Sequence, residues 1–238
     1  MSKRRIISWF SCGAASAVAT KLTLERAPKD TQIVRCVLDN EHKDNTRFAR
    51  DCEEWFGKKI IEIRSSKYKD CWDVWRKRRF LNSPAGALCT VELKKKVRQE
   101  FQRDSDIQVF GFTYEERERA KRFRENNLEV LARFPLIGLK YSKEDCFKIL
   151  SDQVILLPAM YRLGYRNANC VGCVKGGMGY WNKIREDFPE VFKEMAELER
   201  EIGRSCIKGV FLDELDPKAG RHQSLELPEC GLFCQSNA

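Results

Sequence analysis

Short apolar segments alternate with helical segments in the first part of the chain, and this alternation restricts the fold more than any other feature. Helices are predicted at residues 14–25 and 45–56, the second with apolar residues on one side. Runs rich in β-branched and aromatic residues predict strands at 6–10, 32–38, 59–63 and 107–112, with a short fifth strand at 136–138. Strands that alternate with helices indicate βαβ units. We therefore expect an α/β fold with a Rossmann-like parallel sheet and helices on both faces.

The character of the sequence changes near residue 165. Residues 167–177 are loop-like, and 188–202 carry apolar residues at helical spacing, with Pro189 near the first turn. Residues 203–238 contain three further cysteines and look irregular. We therefore predict an α/β domain at 1–164 and a cysteine-bearing C-terminal appendage at 165–238, packed on that domain.

Charge and cysteine content narrow the class of protein. The 44 Lys and Arg exceed the 35 Asp and Glu, and a net charge of +9 suits a polyanionic ligand, although a solvated basic surface explains it equally well. The eleven cysteines are an odd number and no export signal precedes them, so metal binding or chemistry in a reducing cytoplasm is favoured over disulfides. Because no run of about 18 apolar residues occurs, we expect no membrane span.

A loop of small residues follows the first predicted strand, namely Ser11, Cys12, Gly13, Ala14, Ala15 and Ser16. In a strand–turn–helix unit, free N–H groups and the positive helix end face the turn and attract an anion. Small side chains let a phosphate approach, and the serines add hydroxyl donors. The pattern predicts a phosphate site, with an ordinary strand-to-helix turn as the alternative. Asp39 ends the second predicted strand, where a carboxylate takes a ribose hydroxyl or the adenine edge, or caps a turn.

Two cysteine patterns predict a metal site. Cys170-x-x-Cys173 is a turn that presents two thiolates to one metal or cluster, and the same spacing fits zinc or a redox pair. Cys89 stands at the start of a basic predicted helix, where a thiolate ligand is favoured. The other cysteines of the first part are expected to be small buried hydrophobes: Cys36, Cys52, Cys71 and Cys146.

The last cysteines lie in the segment Pro228-Glu229-Cys230-Gly231-Leu232-Phe233-Cys234. This segment resembles the Glu-Cys-Gly-Leu-His motif near the carboxyl end of the phosphoadenosine phosphosulfate reductase-like family of sulfonucleotide reductases. In that family the motif's cysteine attacks the sulfur of the bound substrate and leaves a thiosulfonate on the enzyme. The resemblance therefore implies that Cys230 is the nucleophile. Phe233 stands where the family has histidine.

The small-residue loop resembles the Ser-Gly-Gly-x-Asp-Ser loop of the adenine-nucleotide α-hydrolase superfamily, to which these reductases belong. Ser11, Gly13 and Ser16 match, whereas Cys12 replaces a glycine and Ala15 replaces the acidic residue. The departure argues against adenylation with ATP and magnesium and fits the reductases better. The resemblance also implies that a turn after the fourth strand lies beside the nucleotide, formed by Gly111, Phe112 and Thr113.

The resemblance extends to the cysteine pattern. Adenylylsulfate reductases with a four-iron cluster have a Cys-Cys pair before a basic helix and a later Cys-x-x-Cys, but Thr90 replaces the second cysteine of the first pair here. The implied ligands of a [4Fe-4S] cluster, with zinc as the alternative, are Cys89, Cys170 and Cys173, completed by Cys230 or Cys234. Alternatively the fourth iron stays open and binds sulfide, as in cluster-dependent tRNA thiolases of the superfamily.

These features lead to three hypotheses about function. The first is a sulfonucleotide reductase-like enzyme that reduces, or transfers sulfur from, an adenylyl sulfate (APS or PAPS), with a thiol-redox protein as electron donor. The second is iron–sulfur-dependent thiolation of tRNA or DNA, with ATP as the nucleotide. The third is a non-enzymatic, metal-bound nucleotide-binding protein. The aromatic and basic run 72–79 fits nucleic-acid contact or an ordinary amphipathic helix, and a homodimer is compatible with all three hypotheses.

Overall fold

A computed structural model describes residues 4–83 and 86–220, and their contacts divide them into two units that are interleaved along the chain. We call the first the sheet unit; it contains residues 4–37, 43–63 and 98–162. We call the second the cysteine unit; it contains residues 38–42, 64–83, 86–97 and 163–220. The predicted division at residue 165 differs from this one, because 38–42 and 64–97 group with the C-terminal residues.

Seven strands are formed within the described residues. In chain order they are β1 (Ile6–Trp9), β2 (Thr31–Cys36), β3 (Ile60–Ile63), β4 (Asn82–Ser83), β5 (Gly86–Ala87), β6 (Ile107–Val109) and β7 (Leu131–Arg133). Five of them form the parallel sheet of the sheet unit in the order β3-β2-β1-β6-β7. The short β4 and β5 pair antiparallel in the cysteine unit. Every residue of β1 is buried, as expected for the central strand of a parallel sheet.

The helices alternate with the strands. They are α1 (Ala14–Arg26), α2 (Asn45–Phe56), α3 (Cys71–Arg78), α4 (Leu88–Thr90), a π-helical turn (Val91–Lys95), α5 (Lys96–Phe101), α6 (Arg117–Glu125), α7 (Pro135–Gly138), α8 (Lys143–Asp152), α9 (Ala159–Arg162), α10 (Met178–Asp187) and α11 (Pro189–Ile202), with 3-10 turns at Tyr114–Glu116 and Leu212–Glu214. None of the helices in the described residues is long and apolar enough to cross a bilayer.

Helices cover both faces of the parallel sheet. Ser8 of β1 hydrogen-bonds through its hydroxyl to Thr20 of α1 at 2.8 Å. The next residue, Trp9, packs edge-on against Phe101 of α5, with ring centroids 6.1 Å apart. Because successive residues of a strand point to opposite faces, α1 and α5 lie on opposite sides. The predicted α/β class, with a Rossmann-like parallel sheet and helices on both faces, is confirmed.

The core beside α1 depends on small residues in that helix. The side chains of Ala14, Ala15 and Ala17 are fully buried, and the aromatic ring of Phe10 stacks on that of Phe48 at 6.1 Å. Full burial of a side chain such as Phe48 stabilises the fold by about 1.5–3 kcal/mol. This packing fixes α1 against the sheet and thereby fixes the loop that precedes it.

The first four predicted strands are confirmed, but the fifth is wrong. Residues 136–138 belong to α7, which begins at Pro135, a residue whose fixed φ suits the first helical position. The fifth strand of the parallel sheet is β7, five residues earlier in the chain. It forms an edge of the sheet, and Leu131 and Arg133 are exposed, so it lacks the apolar signature of a buried strand.

Candidate cysteine centre and phosphate loop

The predicted phosphate loop lies at the carboxyl end of the central strand. Residues 11–16 connect β1 to α1, and β1 is flanked by β2 on one side and β6 on the other. The strand order therefore reverses direction at β1. Ligands of open α/β sheets bind beyond the carboxyl ends of the strands at such a switch point.

The two loop serines hold the loop in shape. The Ser16 hydroxyl accepts hydrogen bonds from the backbone N–H and the hydroxyl of Ser11, both at 3.1 Å, and donates to the Gly13 carbonyl at 2.9 Å. The Ala14 N–H points to the Tyr161 hydroxyl at 3.4 Å. Cys12 is buried and has a left-handed backbone with φ 57°, a conformation that costs a non-glycine residue free energy. The loop is thus preformed, and its serines have structural partners within it.

The turn after β6 comes directly against this loop. A Cβ atom placed on Gly111 would lie 2.5 Å from the Cα of Ser16, so only glycine fits there. Phe112 is buried and its ring packs on Phe134 at 5.2 Å. Thr113 caps the 3-10 turn that follows. Gly111 is therefore brought together with the loop, whereas Phe112 and Thr113 have evident packing and capping roles.

Asp39 belongs to the cysteine unit. Its carboxylate forms an ion pair with Arg64 at 2.7 Å, and both side chains are about half exposed. An exposed pair of this kind contributes little to stability. Ribose or adenine recognition by Asp39 stays a prediction.

Three cysteine thiols meet in the cysteine unit. Cys71, at the start of α3, hydrogen-bonds to the thiol of Cys170 and to that of Cys89 in α4. These hydrogen bonds, together with burial, raise the pKa of Cys71 well above its usual value. Cys89 and Cys170 were predicted as ligands. Cys71 is buried as expected, but its contact with both of them was missed, because nothing in the sequence around a lone cysteine predicts its partners.

Two more cysteines are linked electrostatically to this group. Cys206 is buried and interacts electrostatically with Cys173 and Cys89. Burial and the neighbouring Glu199 carboxylate raise the pKa of Cys206. The fully buried Glu199 accepts the backbone N–H of Cys206 and that of Leu212, the latter at 2.7 Å, and burial raises its pKa. Glu199 thereby fixes the segment that carries Cys206.

Asn40 and Tyr180 hold the backbone around these thiols. The side-chain oxygen of Asn40 accepts the N–H of Cys71 at 2.7 Å, and its main-chain oxygen accepts the N–H of Val171 at 2.9 Å. The Tyr180 hydroxyl accepts the N–H of Cys173 at 2.9 Å and donates to the carbonyl of Cys170 at 3.2 Å. Tyr180 therefore ties the Cys-x-x-Cys loop to itself, and Asn40 ties it to the start of α3.

Asn82 and Gly172 restrain the same loop. The Asn82 amide donates to the carbonyls of Val174 and Cys206, which joins the residue after Cys173 to the Cys206 segment. Gly172 has φ 74°, and a Cβ there would lie 2.7 Å from a methyl group of Val191. The conformation of the turn from Cys170 to Cys173 is therefore restrained by the backbone as well as by the thiols.

Two lysines of the basic segment after Cys89 form ion pairs with carboxylates of the same unit. Val91–Lys95 form a π-helical turn, a feature found often at functional sites. Lys94 is buried and pairs with Glu41 at 3.6 Å, and the buried Glu92 pairs with Lys96 at 2.8 Å. These ion pairs neutralise much of the charge that the sequence presents.

The aromatic and basic run 72–79 forms α3 and its end. Trp75 is buried and meets Trp72 edge-on at 5.1 Å. Arg76 pairs with Glu194 at 3.2 Å and Lys77 with Asp73 at 3.0 Å. This arrangement corresponds to the amphipathic-helix alternative, because Arg76 and Lys77 are engaged by carboxylates of the same unit.

The donor set suits a soft metal or an iron–sulfur cluster. Within the described residues, no group of three or more Cys, His, Asp or Glu side chains has the geometry of a site for a single metal ion. A four-iron cluster takes its thiolates on different irons, so its ligands need not converge on one point. Thiolates are the ligands that such clusters use. Cys230 and Cys234 lie outside the described residues, and their roles stay predictions.

Comparisons with known proteins give limited similarity. No family model matches the chain. An uncharacterized protein of Methanocaldococcus jannaschii, MJ0066, is 26% identical over 208 residues, which cover 84% of this chain and 42% of that protein, so the chain spans about two fifths of its relative. A solved structure, the U34-tRNA thiolase NcsA from Methanococcus maripaludis with its [4Fe-4S] cluster, aligns with TM-score 0.44 and 11% identity over 84% of this chain and 72% of that one. A likeness at that level does not bear on activity.

Proposed function

We propose that this chain is an iron–sulfur enzyme of the adenine-nucleotide α-hydrolase type that transfers sulfur to a nucleic acid, either tRNA or DNA. The observation that carries the proposal is the gathering of thiols in the cysteine unit. Cys71 contacts Cys89 and Cys170. Cys206 interacts with Cys173 and Cys89. Among the described residues, these thiols do not converge as the ligands of a single metal ion would, whereas the ligands of a cluster bind different irons, which supports a cluster over zinc.

The proposed ligands come from three segments of the cysteine unit. Cys71, Cys89 and Cys170 would hold three irons, and Cys173 would either bind the fourth or leave it open. Cys206 is then an additional thiol. Cys230 or Cys234 is an alternative ligand in place of any one of these cysteines. A cluster with one iron free of cysteine would supply a site for inorganic sulfide. The buried carboxylate of Glu199 and the amide of Asn82 would keep the Cys206 segment in position.

The sheet unit would bind the adenine nucleotide. Residues 11–16 form a preformed turn at the amino end of α1, where partial positive charge favours phosphate. Gly111 permits the close approach of the neighbouring strand that gives this turn its shape. Ala15 leaves the loop without the acidic residue of the superfamily, so the magnesium ion of a nucleoside triphosphate would need other ligands.

A nucleic-acid acceptor is supported by charge. The chain carries a net charge of +9, and arginines of the sheet unit such as Arg124 and Arg133 lack a carboxylate partner among the described residues. The second candidate function is reduction of an adenylyl sulfate. It is favoured by the sequence around Cys230, which resembles the reductase motif, and by the departure at Ala15.

The two functions are separated by one experiment on anaerobically purified full-length protein loaded with iron and sulfide. One arm contains tRNA or DNA with ATP and sulfide, and thionucleosides are measured by mass spectrometry after digestion. The other arm contains adenylyl sulfate with a thiol reductant, and sulfite is measured. We expect thionucleosides without sulfite. Sulfite release that Cys230→Ser abolishes, with no thionucleoside, would establish the second candidate, and neither product would refute both.

A further inference from the structure

A cavity of about 330 Å³ lies on the face of the parallel sheet that α1 covers. Ser8 points to this face, because its hydroxyl contacts α1. Ile6, two residues earlier on β1, points the same way. Val109 is the neighbour of Ser8 on β6 and Arg133 is the neighbour of Val109 on β7, so both point to this face as well. The cavity is also lined by the last turn of α1, including Leu22 and Arg26. The phosphate loop precedes the first turn of the same 13-residue helix, about 12–18 Å from these residues along its axis. The cavity is therefore separate from the phosphate loop.

Three arginines surround an apolar floor. Within the described residues the cations that line the cavity are Arg26 of α1, Arg124 of α6 and Arg133 of β7, and no carboxylate lines it. The floor includes Val109, Phe134 and the partly exposed Leu139. The Arg124 guanidinium lies over the Phe134 ring, 4.9 Å from its centroid. This combination of an apolar floor and positive charge with no facing carboxylate suits an anion that has an apolar body.

These arginines differ from several other arginines of the described residues. Arg47 pairs with Asp44 and Asp51, and Arg200 pairs with Asp213 and Glu214. By contrast, the three cavity arginines are exposed and have no carboxylate partner in residues 4–83 and 86–220. Guanidinium groups bind phosphate through two parallel hydrogen bonds and stack on flat rings. A phosphate group would supply the negative charge that the cavity lacks.

We propose that this cavity is a second nucleotide site, which binds one phosphorylated nucleoside through Arg26, Arg124 and Arg133. Its volume lies at the small end of ligand sites and so suits a single nucleotide. The nucleotide is either free or one unit of a bound RNA. The inference does not depend on the cysteine centre, because every lining residue belongs to the sheet unit.

The test uses full-length protein and a charge-matched control. The cavity variant is Arg26→Gln/Arg124→Gln/Arg133→Gln. The control variant is Lys29→Gln/Arg50→Gln/Lys148→Gln, which removes the same charge from exposed positions of the sheet unit outside the cavity. Titration calorimetry measures binding of AMP, and fluorescence anisotropy measures binding of a tRNA at two salt concentrations. Circular dichroism checks the fold, and iron content reports separately on the proposed cluster.

If the ligand is a free nucleotide, the wild type and the control bind AMP with one more site than the cavity variant. If the ligand is a unit of RNA, AMP binding is unchanged, but tRNA affinity falls about tenfold or more in the cavity variant, and the dependence of log affinity on log salt weakens by about 0.7 per lost phosphate contact. Equal losses in the two variants, or no binding of either ligand by the wild type, would overturn the inference. Iron content unchanged across the variants would leave the proposed function unaffected.

Discussion

Replacing Gly111 with alanine tests how closely the turn after β6 approaches the phosphate loop. The added Cβ would lie 2.5 Å from Ser16 Cα, 2.6 Å from Ser16 N and 2.8 Å from the carbonyl carbon of Ala15. Carbon atoms in contact prefer about 3.5–4.0 Å, so the two segments must separate by roughly 1 Å. The atoms that clash belong to the backbone of α1, which is packed against the sheet and cannot rotate away as a side chain would. We expect this overpacking to lower the free energy of unfolding by about 1–3 kcal/mol.

A loss of that size lowers the melting temperature by about 2–12 °C for a chain of this length. Gly138→Ala is the matched control, because it is also in the sheet unit and its Cβ would have no atom within 4 Å. Differential scanning calorimetry of the two variants and the wild type measures the difference. The same melting temperature for Gly111→Ala and Gly138→Ala would refute the close approach.

Three further substitutions test other parts of the structure. Asp44→Asn should lower the free energy of unfolding by about 1–3 kcal/mol at pH 7. Because Arg47 holds the pKa of Asp44 well below its ordinary 3.8, this stabilisation is present above that pH and is lost as the pH falls, so urea unfolding should give a smaller difference at pH 3. Asn40→Ala and Tyr180→Phe each remove partners of backbone groups near the thiols. Both should speed iron loss to a chelator severalfold, and unchanged rates would argue against their positioning role.

Local patterns predicted the part of the fold in which the nucleotide site is proposed. The apolar run of β1, the small-residue loop and the following helix are contiguous in sequence, so the sequence alone identifies the residues of this loop. The close approach of Gly111 to Ser16 was less evident, because it depends on the pairing of β1 with β6, which are far apart in the chain. Edge strand β7 was missed since its exposed residues carry no apolar pattern.

The cysteine centre could be predicted only in part. Cys170 and Cys173 are close in sequence, and their spacing alone indicates a metal site. Cys71 and Cys206 each stand alone, and their relation to the other cysteines arises from tertiary structure. Helix α3 and the segment that Glu199 anchors bring them into the group. The amide of Asn40, which binds the backbone of Cys71, had no sequence signal at all.

Iron analysis of Cys71→Ser tests the central claim most directly. The control is Cys146→Ser, since Cys146 is also buried and reduced but lies in α8 of the sheet unit. Anaerobically purified proteins are compared for iron, zinc, acid-labile sulfide and absorption near about 400 nm, with circular dichroism to check folding. We predict about four irons per chain in the wild type and in Cys146→Ser, and loss of most of the iron and of the absorption in folded Cys71→Ser. Equal iron in all three proteins, or one zinc per chain without iron, would contradict the account.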